Sequence, residues 1–365
     1  MRDIVFVGGG HTHALVLHEL AARPLPGARV TVINPDPTAP YTGMLPGFIA
    51  GHYARAELEI DLAHLAARAG ARLVIGRAGG LDRDAREVQL RGQAPIRYDL
   101  VSIDIGITSD LPQIPGYGAH AVSAKPLGTY ARAWEDWRAA QATGRLAPQI
   151  AVIGGGVAGV ELAMAMAYRL RGGAPEITVI EAARLLPNIG TRARQRLLAH
   201  LAAAGVRWRD QVQVVEVTPQ GVRLSDGGGI AASLVLGAAG SRPQDWLRGT
   251  GLELIDGFIA VDPFLRARND PAVFAVGDCA HMVHAPRPKA GVYAVRQAPY
   301  LLANLRATLA AGGLRPYRPQ RDYLKLVSLG GKSALGEKWG VPLEGHWLWQ
   351  IKNRIDARFM RQFCA

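Results

Sequence analysis

The stretch GGGHTH, residues 8–13, contains glycines at the spacing that a phosphate-binding loop needs. It follows an apolar run, and Gly8 and Gly10 match the first two glycines of the pattern GxGxxG, whereas His13 replaces the third. The first glycine of such a loop makes the tight turn, the second lets the backbone approach a pyrophosphate, and the third lets the helix pack closely on the strand. We therefore expect His13 to alter packing rather than phosphate binding. A plain strand-to-helix turn is the alternative interpretation of one degenerate match.

A second glycine loop strengthens the phosphate-binding interpretation. It follows the apolar run of residues 150–153, and its pattern is complete, with Gly154, Gly156 and Gly159. Each loop is followed by a helical stretch and a second apolar strand, RVTVIN in the first case and EITVIE in the second. Two such units in one chain predict two dinucleotide sites.

The residue that ends the second strand of each unit indicates which nucleotide binds there. Glu181 can accept hydrogen bonds from both hydroxyls of an adenosine ribose and would repel a 2′-phosphate, so we predict a preference for NADH over NADPH. Arg184 lies nearby in the sequence and weakens that preference, since an arginine can accommodate the phosphate. Asn34 occupies the corresponding position of the first unit, where it can bind a ribose or simply cap the strand end.

A third signal is FAVGDCA, residues 274–280, in which an apolar strand ends at Gly277 and Asp278. An aspartate at a strand end can accept a hydrogen bond from a ribityl hydroxyl while the neighbouring amides face a phosphate. An aspartate after a glycine is otherwise more often a turn residue. The two nucleotide units earlier in the chain favour the ligand role.

Length and composition fit a two-domain globular enzyme. The 365 residues can form two cores, and 49% hydrophobic with 20% charged residues is ordinary for a globular protein. No apolar run reaches the roughly 18 residues of a membrane span, and the chain starts with a strand rather than a signal peptide, so we expect a cytoplasmic protein. The two cysteines, Cys279 and Cys364, form no CxxC pair. We predict neither a metal site nor a nucleic-acid partner.

Five stretches together resemble the flavoproteins that have two dinucleotide-binding domains: VFVGGGHTHALVL, PYTGMLPGFIAGHY, GGGVAGVELA, FAVGDCA and PKAGVYAVRQAPYLLANL. More closely, the chain resembles the FAD/NAD oxidoreductase module that is fused to selenide, water dikinase in some bacteria. At longer range it is similar to type II NADH dehydrogenases and sulfide:quinone oxidoreductases. The resemblance implies an α/β fold with two Rossmann-like dinucleotide-binding domains, the NAD domain being inserted in a split FAD domain. The implied bounds are 1–116 and 244–314 for the FAD domain, 117–243 for the NAD domain, and 315–365 for a C-terminal appendage.

The resemblance also implies which residues contact the cofactors. At the FAD pyrophosphate loop and its ribose they are Gly8, Gly10, Thr12, His13 and Asn34. Beside the isoalloxazine ring they are Thr42, Gly43 and Pro46, and at the ribityl chain Gly277 and Asp278. At the NAD loop they are Gly154, Gly156, Gly159 and Glu181.

Two residues acquire catalytic roles from the resemblance. Lys289 precedes a helix whose start faces the N1 and C2 carbonyl side of the flavin in the resembled enzymes, where a positive charge would stabilise the reduced ring. As a bare sequence feature, it is a solvated loop charge. Glu161 matches the glutamate that type II NADH dehydrogenases place near the nicotinamide. Its alternative role is that of an exposed acid near a helix start.

The missing cysteines restrict the electron acceptor. Disulfide reductases of this superfamily need a redox cysteine pair, and sulfide oxidation needs cysteines beside the flavin. In this chain only Cys279 is in a plausible place, and it is expected to be a small buried residue. Electrons would then leave the flavin directly, to a quinone, to oxygen or to a protein, and a quinone is the first choice. Type II dehydrogenases read AQxAxQQ near the quinone, and this chain reads GVYAVRQ, which keeps Gln297 but has Arg296 in place of the preceding glutamine. His52 and Tyr293 are candidate wall residues without an assigned role.

The C-terminal stretch of residues 342–365 predicts an amphipathic helix. At 100° per residue, an arc of about 160° contains Trp347, Leu348, Ile351, Ile355, Phe359 and Phe363. Lys352 and Gln362 interrupt this arc. The whole chain carries a formal net charge of +12, which suits an anionic membrane surface. The helix therefore favours peripheral binding to the inner face of the cell membrane. The equally weighted alternative is packing on the FAD domain or across a homodimer.

The combined prediction is an FAD-dependent oxidoreductase that takes hydride from NADH, with NADPH less favoured, and passes electrons to a quinone-like acceptor. An NAD(P)H oxidase or diaphorase with another acceptor is one alternative. A flavin-binding accessory protein linked to selenophosphate synthesis is the other.

Overall fold

The computed structural model describes residues 1–109 and 111–363, so Cys364 lies outside the described residues. The first part of the chain begins with a strand–helix–strand unit and continues with shorter elements. Its strands are β1 (Arg2–Val7), β2 (Ala28–Asn34), β3 (Thr38–Pro40), β4 (Glu59–Asp61), β5 (Arg72–Ile75), β6 (Ala78–Asp82), β7 (Glu87–Leu90), β8 (Ile96–Arg97) and β9 (Leu100–Ile103). Its helices are α1 (His11–Ala22), α2 (Leu45–Ala50) and α3 (Leu62–Arg68).

The middle part contains the second strand–helix–strand unit. Its strands are β10 (Val122–Ser123), β11 (Gln149–Ile153), β12 (Glu176–Glu181), β13 (Val206–Asp210), β14 (Val214–Thr218), β15 (Gly221–Leu224), β16 (Gly229–Ala231) and β17 (Leu234–Gly237). Its helices are α4 (Tyr117–His120), α5 (Leu127–Ala142), α6 (Val157–Leu170) and α7 (Thr191–Ala203).

The last part returns to the first domain and ends in a helix. Its strands are β18 (Leu254–Ile255), β19 (Phe258–Val261), β20 (Arg266–Ala267), β21 (Asp270–Ala275), β22 (Ala280–Met282), β23 (Lys325–Ser328), β24 (Ala334–Lys338) and β25 (Val341–Gly345). Its helices are α8 (Gly291–Leu309) and α9 (His346–Arg361). None of the helices in the described residues combines the length and the apolarity that crossing a bilayer requires.

Two parallel arrays of strands form the centres of the molecule. In the first, β5, β2, β1, β9 and β21 are neighbours in that order, and all four pairings are parallel. β21 follows the whole middle part in sequence, yet it pairs with β9, so this sheet is built from both flanks of the middle part. The middle part has its own parallel sheet, in the order β10, β17, β11, β12 and β13. The predicted α/β fold with two Rossmann-like domains is confirmed, while the limits at residues 116, 243 and 314 stay predictions.

The third position of each glycine pattern shows why one unit tolerates a histidine. A Cβ on Gly159 would overlap the carbonyl oxygen of Gly154, so α6 packs too closely on its loop for any side chain. In the first unit the His13 ring lies fully buried and stacks on Phe6, with the ring centroids 4.5 Å apart. Its nitrogens lie 2.7 Å from the carbonyl oxygen of Gly8 and 2.7 Å from the hydroxyl of Ser102. The expectation that His13 affects packing is therefore confirmed.

Candidate functional site

A cavity of about 610 Å³ opens where the central strands of the first sheet end. Val7 at the end of β1, Asn34 at the end of β2 and Asp104 just after β9 all line it. Ligands of open α/β sheets bind at this edge, outside the carboxyl ends of the strands. The predicted site residues that line the cavity are Gly8, Gly10, Asn34, Thr42, Gly277, Asp278 and Lys289.

The side chains of Thr12 and His13 point away from the cavity, and the predicted contacts of these two residues with a cofactor stay predictions. Both are fully buried, and neither lines the cavity. The hydroxyl of Thr12 donates a hydrogen bond to the carbonyl oxygen of Ala294, at 2.8 Å, and so joins α1 to α8. Because helix α1 turns these two side chains toward the interior, they support the loop rather than face a ligand.

Thr42 lines the cavity, whereas Gly43 and Pro46 do not. The carbonyl oxygen of Gly43 accepts a hydrogen bond from the ammonium of Lys352, at 2.6 Å, and a Cβ on Gly43 would overlap the ring of Tyr41. Pro46 is buried in the first turn of α2. The loop is thus held in place by its own neighbours, and its contact with a flavin ring stays a prediction.

Asn34 and Glu181 perform the same structural task in the two units. The amide of Gly9 donates to Oδ1 of Asn34 at 3.0 Å, and the amide of Gly155 donates to Oε2 of Glu181 at 2.7 Å. Each residue thereby fastens the middle glycine of its loop to the end of the second strand. The other carboxylate oxygen of Glu181 accepts from the amide of Ala183, at 2.9 Å. The predicted ribose contacts stay predictions, but the loop-fastening role could not be inferred from the strand-end position alone.

The second glycine loop has an open position where a ligand would approach. Apart from the adjoining backbone, no atom of the described residues lies within 4 Å of the point that a Cβ on Gly156 would occupy. Gly156 caps α6 without a side-chain hydrogen bond, and Gly154 adopts a φ of +113° that favours glycine. The helix start therefore keeps amides available for an anion.

Asp278 is paired with a lysine that the sequence analysis did not single out. The ammonium of Lys125 lies 3.3 Å from Oδ2 of Asp278, and both side chains line the cavity. Lys125 precedes α5, so the partner comes from the segment that enters the middle part of the chain. No local sequence signal connects two residues 153 positions apart.

Lys289 lines the cavity, but its ammonium is already engaged. It donates to the carbonyl oxygen of Ala280 at 2.6 Å and lies 3.9 Å from the centre of the Phe258 ring. Burial lowers the pKa of Lys289. The expectation of a freely solvated loop charge is thus wrong, whereas the contact with a flavin stays a prediction.

Glu161 is not the exposed helix acid that its alternative interpretation describes. It lies in the second turn of α6, and Oε1 accepts a hydrogen bond from the amide of Ser328, at 2.6 Å. Burial raises the pKa of this carboxyl to about 7, although the nearby ammonium of Lys352 acts to lower it. Glu161 can therefore hold or release a proton near neutral pH.

The C-terminal helix α9 packs over the loop of residues 41–43 through a buried polar network. Asp356 is buried, and it accepts hydrogen bonds from the hydroxyl of Tyr41 at 2.9 Å and from the ammonium of Lys352 at 2.8 Å. The hydroxyl of Tyr53 donates to Oδ1 of Asn353, at 2.6 Å. Lys352, which interrupts the predicted apolar arc, is therefore an internal residue rather than one that extends toward lipid.

The apolar arc itself divides between the interior and the surface. Leu348, Phe359 and Phe363 are buried, whereas Trp347 is 49% exposed and Ile355 is 52% exposed. The expectation that all six arc residues form one membrane-facing surface is thus wrong, because about half of them cover the protein's own core.

The candidate quinone-wall residues and Cys279 have internal partners. Gln297 is buried, and its Oε1 accepts from the amide of Gly277, at 2.7 Å, so it holds the turn before Asp278. His52 lies 2.9 Å from the carbonyl oxygen of Gly330, and Tyr293 is buried. Cys279 is buried and burial raises its pKa to about 12, as expected of a small core residue.

Comparison with known proteins agrees with this architecture. The family model for pyridine nucleotide-disulphide oxidoreductases matches residues 2–298. The NADH dehydrogenase-like protein YutJ of Bacillus subtilis (strain 168) is 24% identical over 359 residues, which cover 94% of this chain and 95% of that protein. The structure of NDH2 from Plasmodium falciparum in complex with NADH has a TM-score of 0.85 at 14% identity and covers 100% of this chain and 97% of that one. The sulfide:quinone oxidoreductase from Aquifex aeolicus has a TM-score of 0.80 at 17% identity, with coverage of 100% and 91%. Both structures share the fold of this chain.

Proposed function

The chain belongs to the pyridine nucleotide-disulphide oxidoreductase family, and we propose that it is an NADH dehydrogenase that holds FAD at the first loop and reduces a quinone-like acceptor. The observation that carries this proposal is the pair of matched loops, in which Asn34 fastens Gly9 and Glu181 fastens Gly155. Two loops of the same construction fit two dinucleotides. The carboxylate lies only at the second loop, where it favours an unphosphorylated adenosine ribose and hence NADH.

The first site fits FAD in its shape and in its charge. Glycines at positions 8, 10 and 277 leave the turns without side chains, and a cavity of about 610 Å³ is within the range of cofactor pockets. The basic side chains that line it are Arg55, Arg77, Arg91, Lys125, Arg132 and Lys289. They outnumber the acidic residues that line the same cavity, Asp36, Glu59, Asp104 and Asp278, and so favour an anionic cofactor overall. Bound FAD supplies the redox chemistry that side chains lack, because it accepts a hydride and passes electrons on.

The residues of this chain bind and orient the nicotinamide dinucleotide at the second loop. The amides at the start of α6 and the open position at Gly156 suit its pyrophosphate. Glu161 lies one turn further along the same helix, and its pKa of about 7 lets it hold or release a proton at neutral pH. Lys289 places a positive charge on the wall of the first site.

The acceptor is proposed on chemistry and on relatives. Cys279 is buried with a raised pKa, so it is poorly suited to thiol chemistry. The relative that matches nearly the whole chain is described as NADH dehydrogenase-like. A quinone-like acceptor accords with both observations. The engagement of Gln297 inside the protein means that this residue supports the Gly277 turn rather than the quinone proposal.

Peripheral membrane binding is part of the same proposal. Large apolar side chains are exposed on the hairpin of β24 and β25 and on α9, namely Trp339, Val341, Leu343, Trp347 and Ile355. Arg354, Arg358 and Arg361 are exposed on the same helix. Apolar side chains beside cations suit the surface of an anionic bilayer, where a quinone is dissolved.

The test is anaerobic mixing of the FAD-loaded protein with NADH or NADPH, followed by a panel of acceptors. We expect NADH to bleach the flavin absorbance faster than NADPH, and quinones to restore it faster than oxygen or selenium compounds. Purified protein that retains no FAD after reconstitution would contradict the site assignment. A flavin that NADH does not reduce would instead favour an accessory protein, including one linked to selenophosphate synthesis. The resemblance to the selenide, water dikinase module stays a prediction.

A further inference from the structure

Asp104 lies where three glycines from distant parts of the chain converge. It directly follows β9, it lines the cavity, and it is only 4% exposed. A Cβ on Gly8 would overlap its carbonyl oxygen, a Cβ on Gly10 would overlap its carboxyl group, and a Cβ on Gly277 would overlap Oδ1. The position of Asp104, as well as any ligand, therefore requires glycine at these three positions.

The carboxyl of Asp104 occupies the start of helix α1. Oδ2 accepts a hydrogen bond from the amide of His13, at 2.9 Å, and the amide of Thr12 also donates to the carboxyl. These are the first-turn amides that an anionic ligand uses when it binds at a helix start. An anion brought to this loop therefore meets an acidic side chain that already holds those donors.

The second loop provides the contrast within the same chain. At Gly156, the counterpart of Gly10, the part of the chain that the structure describes places no atom within 4 Å of the Cβ position, apart from the adjoining backbone. The two loops thus differ in what faces their second glycine: open space in one case and the carboxyl of Asp104 in the other. At the second loop no carboxyl of the described residues contacts the Cβ position of the second glycine as Asp104 does in the first loop.

We propose that FAD binding at the first loop takes up one proton, which Asp104 holds in the complex. The inference rests on the proposed function, since the approaching anion is the pyrophosphate of FAD. A buried carboxylate beside a pyrophosphate would be strongly repelled, whereas a neutral carboxyl can donate a hydrogen bond to a phosphate oxygen. The proton comes from solvent and forms the O–H bond of the acid, and no electrons move.

Burial raises the pKa of Asp104 in the free protein to about 7; Asp278 also acts to raise it, and the hydrogen bonds from His13 and Thr12 act to lower it. Below pH 7 the acid is therefore already protonated, and FAD binding needs no further proton. Above pH 7 it is ionised in the free protein, and binding must include proton uptake. The affinity for FAD is therefore expected to be flat below about pH 7 and to fall as the pH rises above it.

Among the described residues, His13, Asp278 and Cys279 interact directly with Asp104. Three further titratable groups line the same cavity: His11 on α1, Lys125 before α5 and Lys289 before α8. Burial lowers the pKa of His11 and of His13 to about 4, so both are neutral in the relevant range. Burial raises the pKa of Cys279 to about 12, so its thiol is neutral as well. The lowered pKa of Lys289 makes it the rival group, because losing its charge would also weaken FAD binding at high pH.

The test uses the full-length protein freed of flavin, titrated with FAD from pH 6 to pH 9 and followed by flavin fluorescence. The unmutated protein should lose affinity by about tenfold per pH unit at the high end. Asp104→Asn should bind FAD with an affinity that changes by less than about threefold over the range. Asp36→Asn is the matched control, since Asp36 lines the same cavity but is exposed, and this variant should keep the slope.

Each outcome separates this inference from the proposed function. An unmutated protein whose FAD affinity is independent of pH, or an Asp104→Asn variant that keeps the slope, overturns the inference, and the second result assigns the proton to a group such as Lys289. If the variant fails to fold, calorimetry of the unmutated protein at pH 8.5 in two buffers of different ionisation enthalpy decides, because uptake of about one proton supports the inference and uptake of none overturns it. Protein that binds no FAD even at pH 6 contradicts the proposed function itself.

Discussion

Replacing Glu181 tests the choice of nucleotide directly. Its two oxygens accept from the amides of Gly155 and Ala183, at 2.7 and 2.9 Å. A carboxylate has about four acceptor positions, so each oxygen keeps one for a ribose hydroxyl. We predict that Glu181→Gln narrows the preference for NADH over NADPH. Glutamine keeps the length of the side chain but loses the charge and one acceptor oxygen.

The expected size follows from the exposure of the site. A hydrogen bond to a charged group contributes about 1.5–3 kcal/mol, and the lower end applies because Glu181 is partly exposed. Removing the repulsion of a 2′-phosphate adds roughly 1 kcal/mol, the value for two unit charges about 4 Å apart in bulk water. The NADH to NADPH ratio of kcat/KM should therefore fall by about 10-fold to 100-fold, since 1.4 kcal/mol corresponds to a factor of ten.

The assay is the anaerobic rate of flavin reduction at several concentrations of each nucleotide. Glu176→Gln is the control, because Glu176 begins the same strand and forms an ion pair with Arg207 on the exposed surface. It should leave the ratio unchanged. An unmutated enzyme that prefers NADPH would show that Arg184 decides the specificity. A ratio that Glu181→Gln does not change would show that the carboxylate only fastens the loop.

Three further predictions concern the first site and the C-terminal helix. Lys289→Met should lower the flavin midpoint potential and slow reduction by NADH while FAD stays bound, because a positive charge stabilises the reduced ring more than the oxidised one; an unchanged potential in a spectroelectrochemical titration would contradict this. Lys352→Met should lower the free energy of unfolding by about 3 kcal/mol, since it leaves the buried carboxylate of Asp356 without its cation. Arg354→Met on the exposed face should change the free energy of unfolding by less than about 0.5 kcal/mol. Urea denaturation measures both values, and equal losses would refute the role of the Lys352–Asp356 pair. Joint replacement of Trp347 and Ile355 by serine should abolish sedimentation with anionic liposomes at low salt, and intact protein that does not sediment would remove the membrane proposal.

The two parallel sheets could be predicted because their signals are local. An apolar run, a glycine turn and an amphipathic helix follow one another within about 30 residues in each unit, and this order is enough to specify a strand–helix–strand unit. The interior of the first loop could not be predicted in the same way. His13 is accommodated by Phe6 and by Ser102, which lies 89 positions away, and nothing near His13 in the sequence indicates that partner.

Asp104 illustrates a signal that was present but not used. An acid directly after the buried strand of residues 100–103 lies at the edge of the sheet where ligands bind, which is the same argument that selected Asn34 and Asp278. Its convergence with Gly8, Gly10 and Gly277 depends on the fold, since those glycines are brought together only by the pairing of β1, β9 and β21.

The C-terminal helix shows the limit of an amphipathic pattern. The pattern predicts a face that must be covered, but it does not distinguish cover by lipid from cover by protein. The i,i+4 spacing of Lys352 and Asp356 fits an exposed ion pair as well as a buried one, so it does not decide between the two. In the structure this pair is buried and reaches Tyr41 and Gly43 in the loop of residues 41–43. Deleting the helix would therefore damage the first site together with any membrane contact, so substitutions confined to its exposed residues are the experiment that separates the two roles.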